Sequence, residues 1–175
     1  MIKPNTNIFL IGLMAVGKST IGKYLAKELK LEFYDSDRVI EKFCGADISW
    51  IFDVEGESGF RERESQVIDE LTRKRGIVLA TGGGVVLGEE NRRHLVARGT
   101  VVYLVSSLER LVERAQRNQQ RPLLKDKDAI KVFQKLHSER AHLYSDICDF
   151  EFNAEQKSPK VLAHTIASTI YSGHL

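Results

Sequence analysis

Residues 12–20 of the chain read Gly-Leu-Met-Ala-Val-Gly-Lys-Ser-Thr. They match Gly-x-x-x-x-Gly-Lys-Ser/Thr, the pattern of the phosphate-binding P-loop. An apolar run at 7–11 precedes the motif and predicts a short buried strand, and apolar residues at helical spacing follow it, at Ile21, Leu25 and Leu29. A strand, a glycine-rich turn and a helix N-terminus together present backbone N–H groups and a favourable helix dipole to a phosphate. The stretch therefore predicts a nucleotide-binding site.

The alternation of apolar runs with helical patterns extends this prediction to the whole chain. Apolar runs predict strands near 7–11, 31–34, 76–81, 100–105 and 150–152, with helical patterns between them. We therefore expect a three-layer α/β/α fold around a central five-stranded parallel sheet. Residues 1–175 are expected to form one domain, with a small substrate-binding lobe at about 36–62 and a polar, basic lid at about 115–128. Trp50 is expected to pack inside the lobe.

Composition argues against several classes of protein. The 26 basic and 24 acidic residues nearly cancel, which disfavours a nucleic-acid partner. No apolar run suits a signal peptide or a membrane span, so we expect a cytoplasmic protein with no membrane partner. Cys44 and Cys148 have no metal or redox spacing and are expected to be free thiols. Because no long apolar face is left over, a monomer is expected.

The strand ends discriminate among the P-loop proteins. A switch GTPase needs a guanine-reading Asn-Lys-x-Asp stretch, which the sequence lacks, and a motor ATPase usually has an apolar strand ending in Asp. Here the second strand is the one that ends in acid, at Asp35 and Asp37, where an acceptor substrate could meet the nucleotide. A small-molecule kinase also needs a lid that excludes water and can bring a cation to the phosphoryl group, and Arg121 lies in the predicted lid.

Six segments in order resemble the shikimate kinase family along nearly the whole chain. They are the P-loop, Asp35-Ser36-Asp37, Phe60-Arg61 with Glu64, Gly82-Gly83-Gly84, Arg121-Pro122-Leu123-Leu124, and Arg140 with Tyr144. The resemblance implies a nucleoside-monophosphate-kinase-like fold. It also implies phosphorylation of the 3-hydroxyl of shikimate by ATP with Mg²⁺, a step of chorismate and aromatic amino-acid biosynthesis.

The resemblance also implies roles for single residues, and these roles suit the chemistry of the side chains. Arg61 and Arg140 would clamp the shikimate carboxylate, Asp37 would accept hydrogen bonds from ring hydroxyls, and Gly83 would allow close approach of its backbone. Lys18, Asp37 and Arg121 form the predicted catalytic set. The predicted ATP-binding residues are Ala15, Val16, Gly17, Lys18, Ser19, Thr20, Arg121 and Lys157. Ser19, and Asp35 through water, would hold Mg²⁺.

Several points stay open at this stage. Arg114 and Arg117 are secondary candidates beside the nucleotide, and Tyr144 is expected to hold the helix of Arg140. Ala15 stands where the family often has glycine, and a positive φ there would cost about 1 kcal/mol.

Asp35 and Asp37 could instead cap a helix, and Arg61 with Glu64 could be a surface ion pair. A related sugar-acid kinase, for example one acting on gluconate, and a non-catalytic nucleotide-binding regulator are the alternative functions. Whether Asp37 removes the hydroxyl proton early is also left open.

Overall fold

A five-stranded parallel sheet forms the centre of the protein. The computed structural model describes residues 6–117 and 128–172, so Arg121 and most of the predicted lid lie outside the described residues. The strands are β1 (Ile8–Ile11), β2 (Glu32–Asp35), β3 (Ile77–Ala80), β4 (Thr100–Val105) and β5 (Phe150–Asn153), in the spatial order β2-β3-β1-β4-β5. All four pairings are parallel, which confirms the predicted sheet.

Seven helices in the described part of the chain connect and cover the strands. They are α1 (Lys18–Leu29), α2 (Ser36–Cys44), α3 (Ile48–Thr72), α4 (Glu89–Arg98), α5 (Leu108–Arg117), α6 (Ala129–Ile147) and α7 (Pro159–Ser172), with a short 3₁₀ turn at Val85–Leu87. None of these helices is both long and apolar enough to cross a membrane. The helices alternate with the strands as the apolar pattern predicts.

The central strands are buried on both faces. Every residue of β1 and β3 is buried, as are the four inner residues of β4, and this explains their continuous apolar runs. The edge strands β2 and β5 contain exposed positions and more polar residues. Sequence reasoning finds both edge strands, because each is bounded by turn residues.

Two glycines break the segment between β2 and β3. Gly45 ends α2 in the left-handed region, and Gly56 interrupts α3 with φ 72° and ψ −179°. The expectation that Trp50 packs inside this segment is wrong, because Trp50 lies on the first part of α3 with 52% of its surface exposed. Cys44 and Cys148 are free and half-buried, as predicted.

Strand order brings three loops together at one edge of the sheet. The chain leaves β1 into the P-loop, β2 into Asp35–Asp37, and β3 into Gly82–Gly84. Because β1, β2 and β3 are parallel, their carboxyl ends meet at the same edge. The strand order also reverses its direction at β1, since β3 lies on one side of it and β4 on the other. Such a switch point is where open α/β sheets bind ligands.

Candidate active site

The P-loop has the backbone geometry of a phosphate cradle. Gly12, Ala15 and Gly17 have φ values of 145°, 68° and 107°, and α1 begins immediately afterwards at Lys18. The Lys18 ammonium is buried and donates to the carbonyls of Gly12 and Leu13 across 2.6 and 2.9 Å. Turns of this kind direct backbone N–H groups inwards and form an anion-binding concavity. Ala15 thus has the positive φ whose cost was considered above.

Ser19 and the acid pair lie against each other beside this loop. The Ser19 hydroxyl donates to Oδ2 of Asp35. The other carboxylate oxygen of Asp35 accepts from the backbone N–H groups of Asp37 and Arg38, across 3.0 and 3.3 Å, so Asp35 also caps α2. The capping interpretation is thus correct for Asp35 and is compatible with a site role. A hydroxyl and a carboxylate oxygen in contact are ligands that suit a hard divalent cation such as Mg²⁺.

Arg61 on α3 lies beside the glycine loop and is held by a buried carboxyl group. Its Nη1 donates to Oε1 of Glu64 across 2.8 Å, and its guanidinium lies 5.2 Å from the centre of the Phe60 ring. A Cβ on Gly84 would overlap that guanidinium. Glu64 is only 1% exposed, so the interpretation of this pair as a surface ion pair is wrong.

Arg140 on α6 approaches the same glycine loop from another side. A Cβ on Gly83 would lie 3.7 Å from Nη1 of Arg140 and 3.2 Å from the backbone nitrogen of Met14. The Nε atoms of Arg61 and Arg140 are buried and have no hydrogen-bond partner among the described residues. Two guanidinium groups beside one glycine loop favour a bound anion, and a carboxylate suits their forked donors.

Burial and charge at this edge raise the pKa of Glu64 to about 7. Loss of water around the carboxyl group is the largest cause, and the nearby Asp37 carboxylate acts in the same direction. The guanidinium groups of Arg61 and Arg140 oppose the rise. A carboxyl group with a strongly raised pKa in such a cluster is typical of functional sites.

The weaker nucleotide candidates divide into two kinds. Arg114 on α5 reaches the P-loop, where its Nη1 donates to the carbonyl of Val16 across 3.0 Å. Arg117 instead pairs with Glu113 on its own helix, and Lys157 donates to Thr165. Of these three cations, Arg114 is therefore the one whose described hydrogen bond joins it to the P-loop.

Sequence reasoning missed Ser36, which lies between the two acids. Its side chain is fully buried, and its Oγ accepts a hydrogen bond from the backbone N–H of Gly82 across 3.0 Å. The sequence offers no signal for this contact, since a serine before an acid at a helix start also suits a capped turn. Tyr144 was expected to hold the helix of Arg140. Its hydroxyl donates a hydrogen bond from that helix, α6, to the carbonyl of Gly83.

A P-loop at the switch point of a parallel sheet, beside an acid pair and two half-buried arginines, defines a P-loop phosphotransferase that acts on a small anionic acceptor. The family model for shikimate kinase matches residues 14–171. The chain belongs to the shikimate kinase family.

Similar proteins support this assignment over almost their whole length. A shikimate kinase of Legionella pneumophila (strain Corby) is 56% identical over 165 residues, which cover 94% of each chain. One of Actinobacillus succinogenes is 53% identical over 169 residues, covering 96% of this chain and 97% of the relative. The solved shikimate kinase of Acinetobacter baumannii, in complex with shikimate, is 42% identical with a TM-score of 0.94, and the match covers 97% of this chain and 95% of that one. The expected family and fold are therefore confirmed.

Proposed function

We propose that this chain transfers the γ-phosphoryl group of ATP to the 3-hydroxyl of shikimate, a step towards chorismate and the aromatic amino acids. Membership of the family and the identities above support this activity. The observation that carries the proposal is the placement of Arg61 and Arg140 around Gly82–Gly84, beside the P-loop. The cytoplasmic location, the monomeric state, the closing lid and the single-domain organisation stay predictions.

The two arginines suit the single carboxylate of shikimate. Their guanidinium groups lie beside the same loop, so one carboxylate could accept hydrogen bonds from both. Gly83 leaves room for the ring to approach the backbone, because no side chain stands there. Asp37 follows the end of β2 at the same edge and would accept hydrogen bonds from the ring hydroxyls, including the attacking one. These contacts would fix the acceptor in line with the γ-phosphate.

On the nucleotide side, residues 15–20 would hold the phosphates through backbone N–H groups and the α1 dipole. Lys18 would exchange its bonds to the carbonyls of Gly12 and Leu13 for phosphate oxygens, where its charge offsets the charge that develops during transfer. Arg121, outside the described residues, would add a second cation. Arg114 supports the loop through Val16, and Lys157 would border the base.

The contact between Ser19 and Asp35 is where Mg²⁺ would be held, with Ser19 as a ligand and Asp35 acting through water. Bound there, the ion would neutralise phosphate charge. Asp35 is fixed for this role by the two backbone N–H groups that it caps. Asp37 would orient the acceptor hydroxyl, and in a loose transition state this positioning matters more than strong basicity.

ADP release from Mg·ATP tests the proposal directly. Purified protein would be assayed with shikimate, quinate, gluconate and no acceptor. Release that depends on shikimate alone is expected, because the arginine clamp and Asp37 together match a compact hydroxylated carboxylate. Release with gluconate would move the chain to the sugar-acid kinases. No release with any acceptor, while ATP still binds, would favour a nucleotide-binding regulator.

A further inference from the structure

The loop Gly82–Gly84 has no side chains with which to hold its own position. It nevertheless fills the space between the groups that the proposed function assigns to the acceptor. A Cβ on its first glycine would lie 2.7 Å from Oδ1 of Asp37, and one on its third would overlap the guanidinium of Arg61. A Cβ on the middle glycine would lie 3.2 Å from the backbone nitrogen of Met14 in the P-loop. A small displacement of this loop would therefore alter the spacing between the acid and the clamp.

Two buried hydroxyl groups from other elements hold the loop. Oγ of Ser36, in the first residue of α2, accepts from the N–H of Gly82 across 3.0 Å. The hydroxyl of Tyr144 on α6 donates to the carbonyl of Gly83. Both residues are fully buried. Since a peptide group is planar and almost always trans, fixing the Gly83 carbonyl also fixes the opposite direction of the next N–H.

We propose that Tyr144 and Ser36 are positioning residues for the acceptor, acting through the orientation of the Gly82–Gly84 peptide groups. This inference rests on the proposed function, because the acceptor is the molecule whose binding it concerns. The loop lies against the clamp residue Arg61 and close to Arg140. Its position would therefore determine where the carboxylate and the ring of the acceptor can bind. Burial raises the pKa of the Tyr144 hydroxyl, which keeps it protonated and donating throughout the neutral range.

A purely structural role would have a different signature. If the two hydrogen bonds only stabilised the fold, their loss would lower the melting temperature and the fraction of active protein. The KM values for shikimate and ATP would both stay unchanged. A positioning role would affect the two substrates differently, because the loop borders the groups that bind the acceptor. The KM for shikimate should then rise while the KM for ATP stays constant.

Tyr144→Phe is the sharpest test, because it deletes one oxygen and keeps the ring. That ring stacks on Tyr103 with centroids 5.0 Å apart, and phenylalanine can preserve the contact. We expect the KM for shikimate to rise about threefold to tenfold, the effect of losing one hydrogen bond, with the KM for ATP within about twofold of wild type. Tyr103→Phe is the matched control, and it should leave both constants unchanged.

Ser36→Ala provides an independent second measurement and should produce the same selective change. Circular dichroism would show that each variant is folded at the assay temperature. Unchanged shikimate constants in both Tyr144→Phe and Ser36→Ala would overturn the inference, as would equal rises for shikimate and ATP. These outcomes require a wild type that turns over shikimate. A wild type that releases no ADP with shikimate would instead refute the proposed function itself.

Discussion

The guanidinium of Arg61 donates a hydrogen bond to the carboxyl group of Glu64 across 2.8 Å, where the glutamate is almost completely buried. Asp37 on α2 and Arg140 on α6 also act on this carboxyl. Burial outweighs both arginines and raises the pKa of Glu64 to about 7. The proposed acceptor clamp is thus built on a carboxyl group that titrates near neutral pH.

Glu64 should make the free protein less stable as the pH rises from about 4.5 to 7. In this range the folded state retains the proton that the unfolded state has lost, so the free energy of unfolding falls with pH. The change in pKa from 4.5 to about 7 corresponds to about 3 kcal/mol in total. Glu64→Gln removes this titration, and urea unfolding of both proteins at pH 5 and pH 8 measures it. The variant should gain stability relative to wild type at pH 8.

The difference between the two proteins is the quantity to compare, because other carboxyl groups also contribute to the pH dependence of stability. Asp69, for example, has a pKa lowered to about 2 by hydrogen bonds from Arg73 and Arg98, so its contribution is lost only in strong acid. Such groups are common to both proteins and cancel in the difference. A difference in stability that stays constant from pH 5 to pH 8 would show that Glu64 does not titrate there.

Replacement of Arg61 by lysine should weaken the acceptor selectively. Lysine keeps the positive charge but loses the planar fork that can bind a carboxylate through two parallel hydrogen bonds. We expect the KM for shikimate to rise roughly tenfold to a hundredfold, with little change for ATP. Steady-state kinetics with each substrate varied in turn would measure both constants.

Arg63 offers a matched control on the same helix. It lies two residues further along α3 and binds both oxygens of Glu55, across 2.7 and 2.6 Å. Arg63→Lys therefore changes the same chemical group in a different ion pair. It should leave the KM for shikimate unaltered, and an equal effect of both substitutions would mean that the Arg61 result reflects helix stability rather than contact with the acceptor.

Ala15→Gly should stabilise the protein by about 0.5–1 kcal/mol. Ala15 has a φ of 68°, a conformation that costs an L-residue with a Cβ more than it costs glycine. Glycine can adopt the same positive φ, so the P-loop should keep its shape and the KM for ATP should stay within about twofold. Thermal unfolding and ATP kinetics measure the two effects separately.

Lys30→Gly is the control for this substitution. Lys30 ends α1 with a φ of 57°, and with Ala15 it makes up the non-glycine residues of positive φ in the described part of the chain. Glycine is favoured at such helix ends, so a similar gain in stability is expected. If Ala15→Gly alone changed the KM for ATP by more than about twofold, the P-loop would have to rearrange on binding.

The sequence predicted the sheet because each strand is a separate apolar run between turn residues. It predicted the P-loop because that short pattern determines its own backbone geometry. It could not predict the bond between Ser36 and Gly82, whose partners are 46 residues apart, because that contact depends on how β2 and β3 pair. The prediction that Trp50 is packed was wrong for a related reason. An apolar residue within a helical pattern does not reveal whether another element covers that face of the helix.

Lys18→Ala should lower kcat by at least about a hundredfold while the protein stays folded. The Lys18 ammonium lies within the P-loop, bonded to the carbonyls of Gly12 and Leu13, and its proposed task is to offset charge on the transferred phosphoryl group. Alanine favours the helix that begins there, so far-UV circular dichroism should be unchanged. Lys23→Ala removes another lysine from α1, one whose ammonium lies 6.0 Å from the centre of the Phe33 ring, and should retain full turnover. Retention of kcat by Lys18→Ala would remove this lysine from the catalytic set and leave charge neutralisation to other cations of the site.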